Sequence, residues 1–240
     1  MLPTTPTTEF EQSLNGELAT PQEVLKWALE EFGNDVSLAC SFGAEDVVLV
    51  DMLAKLTPNP RIFVLDTGRL HQETYDVMDL CRARYNTRFE IFTPDGTDLQ
   101  SLLSEKGPNS FFASISNRKE CCHIRKVEPL KRALVGHRAW ITGLRREQSV
   151  TRKHLPKVEI DLEHGGIKKI SPLADWSELQ VWNYIKVNQV PYNALHDSGF
   201  PSIGCAPCTR AVKPGEDIRA GRWWWESPEH KECGLHSRKA

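Results

Sequence analysis

Val36-Ser37-Leu38-Ala39-Cys40, running into Ser41-Phe42-Gly43-Ala44-Glu45-Asp46, is the stretch that decides the fold. The first five residues form a short apolar run suited to a buried strand. The small-residue turn after them leads into an apolar helix expected over about 44–56. Upstream, Thr20-Pro21 reads as a helix start, with Thr20 as cap and Pro21 in the first turn. Val24, Leu25, Ala28, Leu29 and Phe32 share one face of that helix, which stops near Gly33. Downstream come the strand Arg61–Leu65, ending at Asp66-Thr67-Gly68, a helix over about 70–85, the run Thr87–Phe92 and a helix over about 98–106. A helix from Cys121 to Leu134 and the strand Ala139–Thr142 follow. Strands alternating with amphipathic helices predict an α/β fold, a doubly wound, mostly parallel sheet covered on both faces.

The polar, Thr/Pro-rich residues 1–16 read as a flexible arm, 17–203 as the α/β domain, and 204–240 as an irregular carboxyl-terminal extension of that domain. At 240 residues and 40% hydrophobic, the chain is long and apolar enough for one sizeable core. A formal charge of -2 supplies no global basic field, so nucleic acid is not an expected partner. No stretch approaches the length of a membrane-spanning helix. The start, Met1-Leu2-Pro3-Thr4-Thr5-Pro6, lacks the regions of a secretory signal. Seven cysteines without an export signal point to a reducing cytoplasm and to metal or catalytic use.

In open α/β sheets ligands bind at the carboxyl ends of the strands. Ser41-Phe42-Gly43-Ala44 joins a strand to a helix, where backbone N–H groups and the helix dipole suit an anion. It lacks the Gly-Lys-Ser/Thr ending of the usual nucleoside-triphosphate loop, and an ordinary turn is the competing reading. Asp66-Thr67-Gly68 likewise reads as a ligand loop or as a turn with Gly at positive φ. Arg145, Arg146 and Arg152 follow the strand at 139–142, and Arg219 and Arg222 lie in the extension. Guanidinium forks suit sulfate and phosphate oxygens, although charged loops are more often simply solvated. Trp223-Trp224-Trp225 is read as an anchor pinning the tail by burial, in preference to a base-stacking platform. Cys40 and Cys81, in a strand and an apolar-periodic helix, are read as core residues.

The other five cysteines divide into a quartet, Cys121-Cys122 with Cys205-Ala-Pro-Cys208, and a lone Cys233 near the end. Four thiolates can close a metal site, and a single thiol on a tail can act as a nucleophile that comes and goes. The quartet is compatible with an iron–sulfur cluster, structural zinc or redox disulfides. One tetrahedral zinc needs its sulfurs roughly 3.8 Å apart. Neighbouring helical residues project about 100° apart, which is awkward for one ion and natural for the separate corners of a four-iron cluster. A helix start at Cys121 would also favour an anionic cluster. Lys126, one turn after Cys122, reads as a cation shared by cluster and substrate or as an exposed helix lysine.

Taken in order, these segments resemble the assimilatory adenosine 5′-phosphosulfate (APS) reductases of the PAPS/APS reductase family. The matching elements are Ser41–Asp46, Leu65-Asp66-Thr67-Gly68, Cys121-Cys122-X-X-Arg125-Lys126, Gly143–Arg152, Cys205-X-X-Cys208, Arg219-X-X-Arg222 and Glu232-Cys233-Gly234-Leu235-His236. Many relatives carry one more small residue in the first loop. The 3′-phosphorylated-substrate (PAPS) reductases share the fold and the terminal Cys motif but typically lack the quartet, so its presence favours the APS branch. The resemblance implies an adenine-nucleotide α-hydrolase-like fold and one [4Fe-4S] cluster on Cys121, Cys122, Cys205 and Cys208. It implies nucleotide contacts from Ser41, Phe42, Gly43, Glu45, Asp46, Leu65, Asp66, Thr67 and Gly68. Lys126, Arg145, Arg146, Arg152, Arg219, Arg222 and His236 would face the phosphosulfate. Cys233 would attack sulfur to give an S-sulfonate, and thioredoxin would release sulfite. A cytoplasmic homo-oligomer, dimer or tetramer, is expected. The alternatives are a PAPS or dual-specificity reductase, an RNA-thiolation ATP pyrophosphatase, and a non-catalytic iron–sulfur sensor.

Overall fold

The computed structural model describes residues 8–16, 19–149, 152–227 and 235. Among them the strands form a six-stranded sheet in the order β3-β2-β1-β4-β6-β5, with β1 Val36–Ala39, β2 Ile62–Leu65, β3 Phe89–Phe92, β4 Ala139–Ile141, β5 Val158–Asp161 and β6 Ile167–Ile170. β1 runs parallel to β2 and β4, β4 runs parallel to β6, and the β5–β6 pair is antiparallel. The mostly parallel doubly wound sheet expected from the apolar runs is therefore present. The strand order reverses at β1, so the β1 and β4 ends flank the topological switch point where such sheets bind ligands. No helix among the described residues is long and apolar enough to cross a membrane.

The chain resolves into two compact units. The first comprises Met1–Val64, Asp76–Glu90 and Leu134–Asn193, and the second Leu65–Tyr75, Ile91–Ala133 and Ala194–Ala240. In the first unit α2, Pro21–Phe32, begins with a full capping box between Thr20 and Glu23 and ends at Gly33, which adopts φ +54°. Val24, Leu25, Ala28 and Phe32 are buried, while Leu29 is only half-buried. The helix α3, Ala44–Leu56, is apolar nearly all round, and Val47 through Leu53 are buried. Its one buried carboxylate there, Asp51, accepts from Tyr85 (3.0 Å) and Tyr184 (2.6 Å) and pairs with Lys55. Cys40 and Cys81 are buried, as core residues. α4 spans Gln72–Tyr85, two residues later than its expected start.

Four elements of this unit, two helices and the strands β5 and β6, have no counterpart in the sequence reading. Within the arm, α1, Glu9–Leu14, is helical, and its buried Glu11 pairs with Lys168 at 3.0 Å. The β5–β6 hairpin carries buried Lys168 and Lys169, and buried Lys157 precedes it. Each lysine meets a carboxylate: Glu11, Glu159 at 3.8 Å and Asp175 at 2.7 Å. These lysines masked the strand pattern. The helix α8, Glu178–Asn188, starts from a Ser177–Gln180 capping box.

The second unit holds α5, Gly96–Lys106, capped by Asp95, and α6, Ile115–Cys122, capped by Ser114. A π-helical turn, His123–Val127, links α6 to α7, Glu128–Ala133. The expected single helix beginning at Cys121 is thus corrected: Cys121 and Cys122 close α6 and are not at an amino terminus. The helix-dipole argument for an anionic cluster accordingly fails. Pro129 supplies the reason for the break. A proline has no N–H for the carbonyl of Arg125 and crowds it, so the backbone widens, and Glu128 N–H donates five residues back to His123.

Candidate functional sites

In the first unit the turn after β1 meets the loop after β4. Asp46, in the first turn of α3, accepts from the Ser41 backbone N–H (2.6 Å) and the Ser41 hydroxyl (2.7 Å). Burial pushes its carboxyl up to about 6, although the Ser41 donors and the Gly143 N–H oppose the shift. The left-handed position of this turn falls on Phe42 (φ +58°), not on Gly43, which is extended. Phe42 is fully buried and packs edge-on against Phe89 at 5.2 Å, and that burial offsets the backbone strain. Gly143 is required across the way, because a Cβ there would collide with the Asp46 carboxylate and lie 2.9 Å from Glu45 Cβ.

The arginine loop is anchored by the same carboxylates. Arg145, buried, donates Nε–H to Glu45 at 2.7 Å and also reaches Glu147 and the Trp176 carbonyl. Arg146 donates to the Leu155 carbonyl and Arg152 to the Gln148 side chain. Ser41, Phe42, Gly43, Glu45, Asp46, Arg145, Arg146 and Arg152 therefore belong to one unit. Glu45 and Asp46 spend their oxygens on holding the two loops in register.

The second unit contains all four cysteines of the quartet. Cys122 and Cys205 are buried, and Cys121 and Cys208 half-buried. Cys205 lies within electrostatic reach of Cys121, and Cys208 of the other three. Burial pushes the Cys208 thiol up to about 12, and the neighbouring sulfurs add to it. Burial also opposes ionisation of Cys205, yet Lys126, the Thr67 hydroxyl, Arg222 and Arg125 together hold its thiol below the ordinary value.

Leu65–Gly68 serves this centre. The Thr67 hydroxyl is 3.3 Å from the Cys205 sulfur, the Thr67 carbonyl accepts from Arg125, and Asp66 accepts from Gly68 N–H and the Tyr75 hydroxyl. Gly68 takes φ +68°, as a turn glycine should. Half-buried Leu65 ends β2. Lys126 is carried by the π-turn, which directs its charge toward Cys205 and Cys208.

The extension closes over the same centre. Arg222 donates to the Ser202 hydroxyl and the Ile203 carbonyl, and Gly204 leaves room for its guanidinium. Arg219 caps a turn through its N–H to Asp217. The Trp223 backbone N–H donates to the Cys208 carbonyl, and the buried Trp223 ring lies 4.8 Å from the Arg118 guanidinium and 4.7 Å from that of Arg222. The anchor reading suits Trp223 best.

Arg118 and Glu226 were absent from the sequence-derived set, and Arg125 stood in the matching motif without an assigned role. Arg118 had a signal, lying one helical turn before Cys122. Glu226 had none. Cys233 and His236 lie outside the described residues.

Four soft sulfur donors, with Lys126, Arg222 and Arg125 in electrostatic reach of Cys205, match the chemistry of an anionic iron–sulfur group. Among the buried polar atoms without a partner among the described residues is Arg125 Nε, on a guanidinium within reach of Cys121, which fits such a group as its neighbour. No three Cys, His, Asp or Glu side chains among the described residues are gathered as a site for a metal ion.

Comparison with known proteins places this geometry. The phosphoadenosine phosphosulfate reductase domain profile matches residues 35–211. A protein of Allochromatium vinosum named adenosine 5′-phosphosulfate reductase is 52% identical over 206 residues, 86% of this chain and 80% of its own length. One of the same name from Burkholderia cepacia is 51% identical over 227 residues, 93% of this chain and 90% of its own. The solved phosphoadenylyl-sulfate (PAPS) reductase of Candida auris, a phosphate complex, matches with TM-score 0.72 at 34% identity, covering 87% of this chain and 98% of that one. With the profile spanning all six strands and both loops of the switch point, the chain belongs to the PAPS/APS reductase family.

Proposed function

We propose that this chain reduces adenosine 5′-phosphosulfate to sulfite and AMP with electrons from reduced thioredoxin, in sulfate assimilation leading to cysteine. The observation that carries the reading is its 52% identity over 206 residues to a relative named for that activity. The Cys233 thiolate attacks the sulfate sulfur, the S–O bond to the phosphate breaks, and AMP leaves with the bonding pair. A thioredoxin thiolate then attacks the Cys233 sulfur and expels sulfite. The second thioredoxin thiol resolves the mixed disulfide, so two electrons pass from dithiol to sulfur and Cys233 returns as a thiol.

Cys121, Cys122, Cys205 and Cys208 would hold one [4Fe-4S] cluster, which supplies a local field and no electrons to this reaction. Lys126, Arg145, Arg146, Arg152, Arg219, Arg222 and His236 neutralise the anionic substrate and the charge developing on the leaving phosphate. Glu45 and Asp46 act as positioning residues, because their carboxylates bond to the loops themselves.

Specificity for a 3′-phosphorylated substrate is the second reading, favoured by the name of the family profile and by the Candida auris relative. Sulfite release by anaerobically purified protein with thioredoxin, comparing the two nucleotides at equal concentration, separates them. APS is expected to be preferred, and preference for the 3′-phosphorylated nucleotide would overturn the substrate. Cys233→Ser should lose turnover and keep the cluster absorbance, whereas Cys121→Ala should lose the absorbance.

A further inference from the structure

Phe111, Phe112, Trp224 and Trp225 form one aromatic cluster in the second unit. Phe112 lies 4.4 Å from both Phe111 and Trp225 and 6.3 Å from Trp224, and Trp224 meets Trp225 edge-on at 4.8 Å. Phe111 is buried, and Arg69 stacks over it at 5.1 Å. Phe112 and Trp224, by contrast, stay 46% and 40% exposed. The exposed rings are also held in place. Trp224 stands between the buried Trp223 and Glu226, whose carboxylate is clamped by Arg118. Phe112 sits in the short turn Ser110–Phe112, braced by its own N–H to the Asn109 carbonyl. Rigid aromatic side chains left in water lose little entropy when covered, which is the usual character of an interface hot spot.

The chain beyond the cluster says what covers it. Cys233 follows Trp225 by eight residues, so chain length alone keeps it within about 26–29 Å of the cluster. A small dithiol protein of about 100 residues has a radius of gyration of about 13 Å, so the distance from these rings to Cys233 is one that a single docked molecule can span. We propose that Phe112 and Trp224, backed by Phe111 and Trp225, are the docking surface for the thioredoxin that reduces Cys233. This inference rests on the function proposed above and deepens it by naming where the second substrate binds.

The test uses the full chain with its cluster and the variants Phe112→Ser, Trp224→Ser and the double. Two reactions that need no protein partner serve as references: the stoichiometric burst of AMP from APS without reductant, and turnover with dithiothreitol. Both are expected to stay within about twofold of wild type, while kcat/KM for thioredoxin falls at least about tenfold in the double variant. Calorimetric binding of a thioredoxin with both active-site cysteines replaced by serine should weaken in parallel, and this measurement needs no APS chemistry. Unchanged thioredoxin kinetics and binding would overturn the proposal. A fall in the AMP burst equal to the fall with thioredoxin would assign the rings to the chain's own tail. A change in oligomeric state with thioredoxin kinetics intact would assign them to a second copy. If wild type released no AMP yet bound the inert thioredoxin through these rings, the proposed function would fail and the docking surface would stand.

Discussion

Replacing Glu226 by alanine isolates the bond on which the cysteine centre depends. Arg118 donates Nε–H and one terminal N–H to the two Glu226 oxygens at 3.0 and 2.7 Å, and the two side chains are 1% and 3% exposed. Alanine leaves a buried guanidinium without its carboxylate, a loss of about 3–5 kcal/mol when one partner of such a pair is removed. For a chain of this length that lowers the thermal midpoint by roughly 6–20 °C. The lower part of that range is expected, because the Cys122 sulfur also faces Arg118 and the Trp223 ring covers it. The damage should pass to the quartet, since the Trp223 backbone N–H bond to the Cys208 carbonyl and the Thr209–Arg222 bridge lie on the same return of the chain. Urea unfolding followed by tryptophan fluorescence measures the loss, and iron retained after gel filtration measures its effect on the centre. A double variant, Arg118→Met with Glu226→Met, supplies the control, because an apolar pair of similar volume carries no desolvation penalty and should recover most of the stability. A Glu226→Ala loss below about 1 kcal/mol, or a double variant no better than the single, would refute the assignment of the pair as a buried latch.

Two further outcomes follow from the first unit. Asp46 is the more protonated in the folded state, its carboxyl raised from 3.8 to about 6 by burial. Its contribution is therefore fully present below about pH 4 and is lost as pH rises toward 6, on the order of 3 kcal/mol in all. The stability of Asp46→Asn relative to wild type should accordingly climb between pH 4 and 6.5 in urea titrations. A flat difference would contradict the burial argument, while the variant's constant offset reports the amide facing Ser41 or Gly143 N–H. Gly143→Ala should remove binding of AMP measured by calorimetry, because the added Cβ meets Asp46 and Glu45 and drives the two loops apart. Retained AMP affinity would show that this pair of loops is not the nucleotide site.

What the sequence determined by itself was local. The apolar runs at 36–40 and 62–65 became neighbouring parallel strands. Thr20 and Pro21 opened α2, and Gly33 and Gly68 took the positive φ that only glycine adopts without strain. The order of motifs carried the family, because loop chemistry and cysteine spacing are written along the chain.

Tertiary structure decided whatever depends on partners far away in sequence. Lys168 is acceptable in a strand because Glu11, 157 residues earlier, reaches it, and no window of neighbours contains that fact. The donors that Ser41 and Gly143 supply to the buried Asp46 carboxylate come partly from a loop about a hundred residues away, outside any local window. Glu226, an unremarkable acid after three tryptophans, became a buried anchor only opposite Arg118, 108 residues away. Pro129 lay in plain view, yet its consequence, a π-turn that carries Lys126, follows from how a helix accommodates a missing N–H. Periodicity and capping act within a few residues and can be read from the chain. Charge compensation in a low-dielectric interior acts across the fold, and only the folded coordinates reveal which charge meets which.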